Sequence, residues 1–598
     1  MAKQLLYTYI DNCYGFENQE FNFSTDVQFS VIKSESLILR KKDSKEPFLK
    51  DFFGANISDI SILIGDNGSG KTTLMKIICR WLCCFSEGRL PQEKGVVAFS
   101  QDGRIGYIGF EEGKKLEVSV EIPEAKMYTI SKLADFARDL RLLYFSNTMT
   151  ELNLKSDILS DYSLTHRIIK ANENESFSHK DIIANYNREE FQRQVDVALN
   201  KDIGDFPVHY LQMDIHKPNL EMSQKEQPEE IKEIVRGLSE LWEFSFESCE
   251  EDKVTKYKVL INLLEALSIG VVKYVLKNYD NERSALKLLE RVINYYNLYY
   301  SKNDMDGQIE GGFECIKQFL VDLVLDSGFG KVMKENIVQF ISELQSDIQN
   351  NDKPLAEQQN SEEQGVTVGQ ISIEPENREK FKRFWEAYKK VEMYIKGVAF
   401  YWDASSGERN WVSLFSMLAN VPGENIWLFL DEPDNTLHPD WQRKLLKKII
   451  DTCNGSNYSG KKVQLWISTH SPIMLSDMPG NSVIYLKDKK NMDCQLKETF
   501  GQNIYTLFNH AFFLHDGVIG TFASNKILEV IRKLQGVEKE LFKRKIDFNK
   551  TEQLYSILSD CEAFANILAE PLYKRSIQDS IKKYRKLIDT KRNEKIHD

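Results

Sequence analysis

Residues 65–72 read Gly-Asp-Asn-Gly-Ser-Gly-Lys-Thr, directly after the apolar run SILI (Ser61–Ile64) and directly before TTLMKIICRWL. An apolar run without polar alternation reads as a strand covered on both faces, and the segment that follows reads as a helix. Strand, glycine-rich loop and helix in that order, with GxxxxGK[ST] matched in full, form a phosphate cradle. Glycines let the backbone curl so that several N–H groups point at one phosphate group, and the helix N-terminus adds partial positive charge. Lys71 is expected to reach the β and γ phosphates, and Thr72 to offer its hydroxyl to Mg²⁺. Gly65, Asp66, Asn67, Gly68, Ser69, Gly70 and Thr73 complete the expected cofactor-binding loop.

Far along the chain, IWLFL (Ile426–Leu430) is another apolar strand and ends in Asp431–Glu432. Beside a phosphate loop, two acids at a strand end suit phosphoryl transfer, where positioning matters more than covalent chemistry. Asp431 is expected to hold Mg²⁺ through water, and Glu432 to orient and deprotonate the attacking water. VQLWIS (Val463–Ser468) leads to Thr469 and His470, an imidazole placed to hydrogen-bond the γ-phosphate. A third apolar strand is SVIYL (Ser482–Leu486), and WQRKLLKKIIDT reads as a helix between the strands. Ahead of the acidic strand, Ser405, Ser406, Gly407 and Glu408 form a short Ser-Gly turn at a helix start, a second candidate anion site.

The chain has 598 residues, enough for several structural units, with 42% hydrophobic and 28% charged residues, an ordinary globular balance. No apolar run in the sequence approaches the roughly 18 residues that span a bilayer, and no secretory signal is evident at the start, so a cytoplasmic protein without a membrane partner is expected. Nine scattered cysteines without CxxC pairs read as reduced structural thiols. The net charge of −12 argues against a chain coated in positive charge for nucleic acid. Local basic clusters remain, at Arg40–Lys42 with Lys45, at Lys543–Lys545, and at Lys582–Lys586. Between the two halves of the sheet, segments such as YKVLINLLEALSIGVVKYVLKNY, ALKLLERVINYYNLYY and FKRFWEAYKKVEMYIKG carry helical spacing, with a polar linker at 350–364. The expected divisions are 1–204 for the first half of the phosphate-binding head, 205–395 for a mostly helical insertion, 396–500 for its second half, and 501–598 for a helical C-terminal region.

Together GDNGSGKT, SSGE, LDEPDNTLHP and STHSP resemble the phosphate loop, signature, acidic strand with its following loop, and switch histidine of ABC-type ATPases. More narrowly they are similar to the branch containing SMC, RecF and the overcoming-lysogenization-defect proteins, in which a helical insertion splits the head. The fold class the resemblance implies is α/β: an ABC-type head with a mixed or parallel sheet, a large helical insertion and a helical C-terminal region. It also implies ATP and Mg²⁺ as cofactors, Lys71, Glu432 and His470 as catalytic residues, and Thr72 and Asp431 as metal ligands, with Asn147 in the place of the metal-sensing glutamine. In that family two heads sandwich two ATP molecules. Ser405, Ser406, Gly407 and Glu408 of one copy would then complete the site around Lys71 of a second, with Asp434, Asn435 and His438 at the seam.

No toprim arrangement follows residue 500, no HNH or PD-ExK nuclease pattern is found in the sequence, and the run from Phe500 to Ile527 is similar to the ATPases of Septu and retron-associated anti-phage systems. That resemblance implies a homodimer or higher assembly controlling a separate HNH-type nuclease, with a reverse transcriptase and RNA-linked DNA as further partners in a retron version. A DNA-maintenance clamp of RecF or SMC type acting on duplex DNA is the alternative. A scaffold that holds ATP with little turnover is a second.

Overall fold

A computed structural model of the chain describes residues 2–33, 37–42, 49–149, 152, 154–171, 179–199, 210–216, 237, 251–278, 282–300, 309–328, 330–349, 355–358, 366–373, 376–395, 397–402, 404–419, 421–492, 498–511, 519–543 and 548–594. Lys45, Arg544 and Lys545, most of the linker at 350–364, residues 512–518 of the C-terminal run, and the expected boundary at 204/205 lie outside the described residues. The chain divides into two compact units, Met1–Leu507 and Phe508–Asp598.

At the centre of the first unit is a seven-stranded sheet. Its strands run in the spatial order Leu159–Ser163, Leu140–Ser146, Asn425–Asp431, Lys462–Ser468, Ile57–Gly65, Val483–Lys487, Lys490–Met492. Every pairing is parallel except the last. All seven residues of Asn425–Asp431 are buried, as a strand covered on both faces requires. The register sets Ser146 beside Asp431, Asp431 beside Ser468 and Ser468 beside Leu63, so the strands finish on one line. The crevice outside the carboxyl ends of parallel strands is where open α/β sheets bind ligands.

A second, six-stranded sheet contains Lys3–Cys13, Phe16–Asn22, Gly95–Gln101 and Arg104–Glu111 in antiparallel pairs. Helix Lys71–Ser86 joins one core with both sheets, contributing Leu74, Ile78, Trp81 and Phe85, while the central sheet contributes Trp427, Phe429 and Trp466. Trp466 stacks on Phe429 with centroids 4.6 Å apart and meets Phe23 edge-on at 5.8 Å.

The segment between the sheet halves has its own core, built from helices Lys258–Asn278, Ile309–Ser327, Lys331–Gln349 and Arg378–Val391. Helical periodicity alone misses part of it. A four-stranded sheet orders Ala356–Gln358, Val366–Ser372, Tyr210–His216 and Val398–Trp402, with antiparallel pairing throughout. Its strands are short and lie between strongly periodic helices, which dominate any long-window reading. The same core takes in Phe191 and Val195 before residue 205 and Trp402 and Val412 after residue 395. One expectation needs correcting: helix Lys258–Asn278 is long and apolar enough to cross a bilayer by length and composition. Yet 78% of that stretch is buried inside the fold, because this is the central helix of a protein core.

In the second unit, helices Thr521–Leu541, Phe548–Ile567 and Pro571–Glu594 share a core that includes Leu534, Leu558, Cys561, Ile581 and Tyr584. Arg585 grips Glu562 through both carboxylate oxygens, at 3.2 and 2.6 Å.

Trp466 is fully buried where the core of helix Lys71–Ser86 meets the central sheet. Trp466→Ala is expected to lower stability by about 3–5 kcal/mol in denaturant unfolding followed by far-ultraviolet dichroism. A loss below about 1 kcal/mol would mean that the sheet and helix do not share one core.

Candidate functional site

The phosphate loop begins at the end of strand Ile57–Gly65 and feeds helix Lys71–Ser86. Two glycines are required by shape. At Gly65 (φ +152°) an added Cβ would lie 1.9 Å from the carbonyl oxygen of Leu486. Gly70 adopts φ +104°, and a Cβ there would press on the ring of Phe16 at 2.8 Å. Gly70 caps the helix without a side-chain hydrogen bond, and no acidic residue occupies the first turn. The helix's leading N–H groups therefore keep their capacity for an anion. The backbone N–H of Lys489 donates to the Ser69 carbonyl at 3.0 Å and braces the loop from the neighbouring strand turn.

Lys71 is buried, and its ammonium donates to the carbonyl oxygens of Gly65 (2.9 Å) and Asp66 (3.2 Å). Burial depresses its pKa, opposed by the carboxylates of Glu432 and Asp431. The ammonium also lies 2.9 Å from His470 Nε2, and that same nitrogen is 3.3 Å from Glu432 Oε1. One ring nitrogen cannot serve both at once. Bare, Nε2 accepts from Lys71; protonated, it donates to Glu432. The hydrogen bond with His470 holds the Glu432 carboxyl below the usual carboxylate range.

Asp431 is buried and receives three hydroxyls: Thr72 at 2.8 and 3.0 Å, Tyr144 at 2.8 Å and Ser468 at 2.5 Å. Thr72 and Asp431 thus present a hydroxyl and a carboxylate side by side, hard oxygen donors of the kind Mg²⁺ takes when phosphate and water complete its shell. Among the described residues no cluster of three or more His, Cys, Asp or Glu side chains could hold a metal alone. The next residue, Glu432, sits at φ +50°, a strained conformation for a residue with a Cβ. Its N–H is pinned by the Ser468 carbonyl (3.2 Å) and hydroxyl (2.9 Å), which fixes where its side chain leaves the strand.

Sequence reasoning singled out neither Tyr144 nor Ser468. Ser468 closes the quoted strand, but its contact with Asp431 depends on the strand register, which no single segment carries.

Asn147 follows the end of the strand paired with Asp431, and both ends of its amide are engaged away from Asp431. Its nitrogen donates to Asn410 and its oxygen accepts from Arg167 at 2.5 Å. Arg167 in turn holds Glu190 at 3.0 Å and the hydroxyl of Ser413 at 2.7 Å. Burial would raise Glu190, but Arg193 and Arg167 reverse this and hold it at about 2. Ser405 and Glu408 cap helix Ser406–Ala419 reciprocally. The Ser405 N–H donates to Glu408 at 2.7 Å, and the Glu408 N–H donates to the Ser405 hydroxyl at 3.3 Å. Among the described residues no hydrogen bond or ion pair joins Ser405, Ser406, Gly407 or Glu408 to Lys71, Thr72, Asp431, Glu432 or His470.

The loop after Glu432 packs on this helix instead. An added Cβ at Gly407 would lie 3.1 Å from the Thr436 carbonyl, and Asn410 donates to the Asn435 carbonyl (2.6 Å) and Thr436 hydroxyl (2.9 Å). His438 caps helix Pro439–Cys453 through Nδ1. Asp434, expected at a seam between copies, is buried within its own chain and accepts the Thr469 hydroxyl at 2.7 Å.

A family described as an AAA ATPase domain matches residues 48–475, a span that contains the phosphate loop, Asp431, Glu432 and His470. Protein ea59 of Escherichia phage lambda is 30% identical over 113 residues, covering 18% of this chain and 21% of that protein. The chain therefore aligns with about a fifth of that relative's length.

Burial pushes the Asp434 carboxyl up to about 6. Its folded-state pKa lies above the ordinary value, so its contribution to stability is fully present below about pH 4 and is lost as the pH rises through 6. Asp434→Asn is expected to be more stable than the parent at pH 7 by about 2–3 kcal/mol, with the difference vanishing near pH 4 in a series of thermal melts. A difference that grows on acidification would contradict the buried-acid assignment.

Proposed function

This chain belongs to the AAA ATPase domain family, and on that premise we propose that it hydrolyses ATP at a site made of Gly65–Thr73, Asp431, Glu432 and His470. The observation that carries the reading is the line from Lys71 to His470 to Glu432, at 2.9 and 3.3 Å, beside the Thr72–Asp431 pair. The loop N–H groups and Lys71 bind the β and γ phosphates. Mg²⁺, held by Thr72 and Asp431, would neutralise charge on the phosphate oxygens. Ser468 and Tyr144 orient Asp431. Glu432 takes a proton from water as the water oxygen bonds to the γ-phosphorus and the bond to the β–γ bridging oxygen breaks, releasing ADP and phosphate. His470 trades its contact with Lys71 or Glu432 for one with the γ-phosphate.

In the finer reading the head is of ABC type and works in pairs. Ser405, Ser406, Gly407 and Glu408 are unlinked to their own chain's phosphate loop among the described residues, which supports their completing the site of a second copy. The assembly holds a separate nuclease and licenses it in anti-phage defence of Septu or retron type. This rests on the sequence resemblance and on the lack of a nuclease pattern in the sequence.

Lys71→Ala is expected to abolish ATP binding in calorimetry. Glu432→Gln is expected to bind ATP as the parent does and to hydrolyse it at least about 100-fold more slowly. Hydrolysis by Glu432→Gln at the parent rate would remove Glu432 as the base.

Pairing is tested by mixing. Lys71→Ala and Ser406→Trp chains, each inactive alone, are expected to regain hydrolysis when combined, since Ser406 is exposed and one intact site forms per mixed dimer. Mixed dimers that form and stay inert would refute completion by a second copy.

A further inference from the structure

A cavity of about 600 Å³ lies between helix His179–Ala198, the edge strand Val398–Trp402 and helix Ser406–Ala419. Its size falls within the range of small-molecule sites, about 300–1,000 Å³. One wall is aromatic, formed by Phe191, Trp385, Phe400 and Trp402, whose rings meet at centroid distances of 5.3–6.1 Å. The other wall is polar and includes Asn147, Arg167, Asn410 and Ser413. The charged residues on the cavity wall balance, with Arg167 and Arg409 against Glu190 and Glu392.

Two buried donors there have no hydrogen-bond partner among the described residues, Arg167 Nε and Trp385 Nε1. A buried donor without a partner is a costly feature of a folded protein and calls for an acceptor. Acceptor capacity is present as well, in the side-chain carbonyls of Gln192 and Gln194, whose amide nitrogens are engaged by Glu392 (2.5 Å) and Glu190 (2.9 Å).

We propose that this cavity binds a nucleobase, either of a free nucleoside or nucleotide or of a base presented by a single strand. A base is flat, uncharged and apolar on its faces, and it carries acceptors and donors on its edge. Those properties match an aromatic wall, a balanced charge and donors in need of acceptors. The site is separate from the phosphate loop but tied to it. Asn147 and Asn410 line the cavity and bond to each other, and each belongs to a segment that borders the proposed ATP site. An occupant therefore sets the position of helix Ser406–Ala419. This consequence for hydrolysis rests on the proposed function; the binding itself does not.

Calorimetry on the full chain tests it with adenosine, guanosine, cytidine and uridine as one set of probes and a short single-stranded oligonucleotide as the other. The blocking variant is Ala399→Trp. Ala399 lines the cavity and is exposed on an edge strand, so a larger side chain fits without disturbing the core. Retained ATP binding reports that the variant is folded. Nucleoside binding by the parent that Ala399→Trp abolishes identifies a site for free ligand. Oligonucleotide binding alone, again lost in Ala399→Trp, identifies a base presented by a strand. Trp385→Phe, which removes the indole donor and trims the buried ring, is expected to weaken the same binding at least about two- to tenfold while ATP binding is retained. No binding of either probe, or binding that Ala399→Trp leaves unchanged while ATP still binds, overturns the proposal. Loss of nucleoside binding in Ala399→Trp with ATP hydrolysis unaffected by nucleosides would retain the site and remove only its link to the ATPase.

Discussion

Asp431 is held by hydroxyls from three separate segments: the phosphate-loop helix, the strand on one side and the strand on the other. These contacts exist only because strands Leu140–Ser146, Asn425–Asp431 and Lys462–Ser468 end in register. A shift of one residue in either pairing would turn Tyr144 or Ser468 to the opposite face of the sheet and strip the buried carboxylate of one of its hydroxyl donors. The strained backbone of Glu432 depends on the same alignment, since its N–H is fixed by Ser468. The sheet is thus the device that brings residues separated by hundreds of positions to within hydrogen-bonding distance. Its hydrophobic cover, with Trp427, Phe429 and Trp466 packed against helix Lys71–Ser86, keeps that register in place.

The segment between the sheet halves reaches the site through polar contacts. Arg167 connects Asn147 to Glu190 and Ser413, and Asn410 connects Asn147 to the loop after Glu432. Helix Ser406–Ala419 lies in the middle of this set. In the proposed pairing of two heads, the turn that starts this helix faces the nucleotide of the other copy. Any movement of the intervening segment then changes what is presented there. Arg167 and Glu190 form a buried ion pair in this network, so removing one partner leaves an uncompensated charge.

The strand–loop–helix at 57–86 could be read because short-range features carry it: glycines at positions that tolerate no Cβ, a lysine and a threonine at fixed offsets, and an unbroken apolar strand. The acidic strand was legible for the same reason. What single segments do not carry is register, so Tyr144 and Ser468 were invisible as partners of Asp431. The small sheet built from Tyr210–His216, Val366–Ser372 and Val398–Trp402 was hidden because its strands come from distant stretches with helices between them. The long apolar helix at 258–278 was undervalued because Glu265 and Lys273 interrupt its apolar character in the sequence, although the fold buries most of it. The partner of Asp434 inside the chain, Thr469, was likewise hidden, because it lies on the neighbouring strand end thirty-five positions away.

In the proposed mechanism the hydrolysing unit is a pair of chains. The most direct test is the rate of ATP hydrolysis per chain as the protein is diluted, with native mass followed over the same range. The rate per chain is expected to fall as the pair dissociates, in step with the measured fraction of dimer. A rate per chain that stays constant while the mass falls to that of a single chain would contradict it.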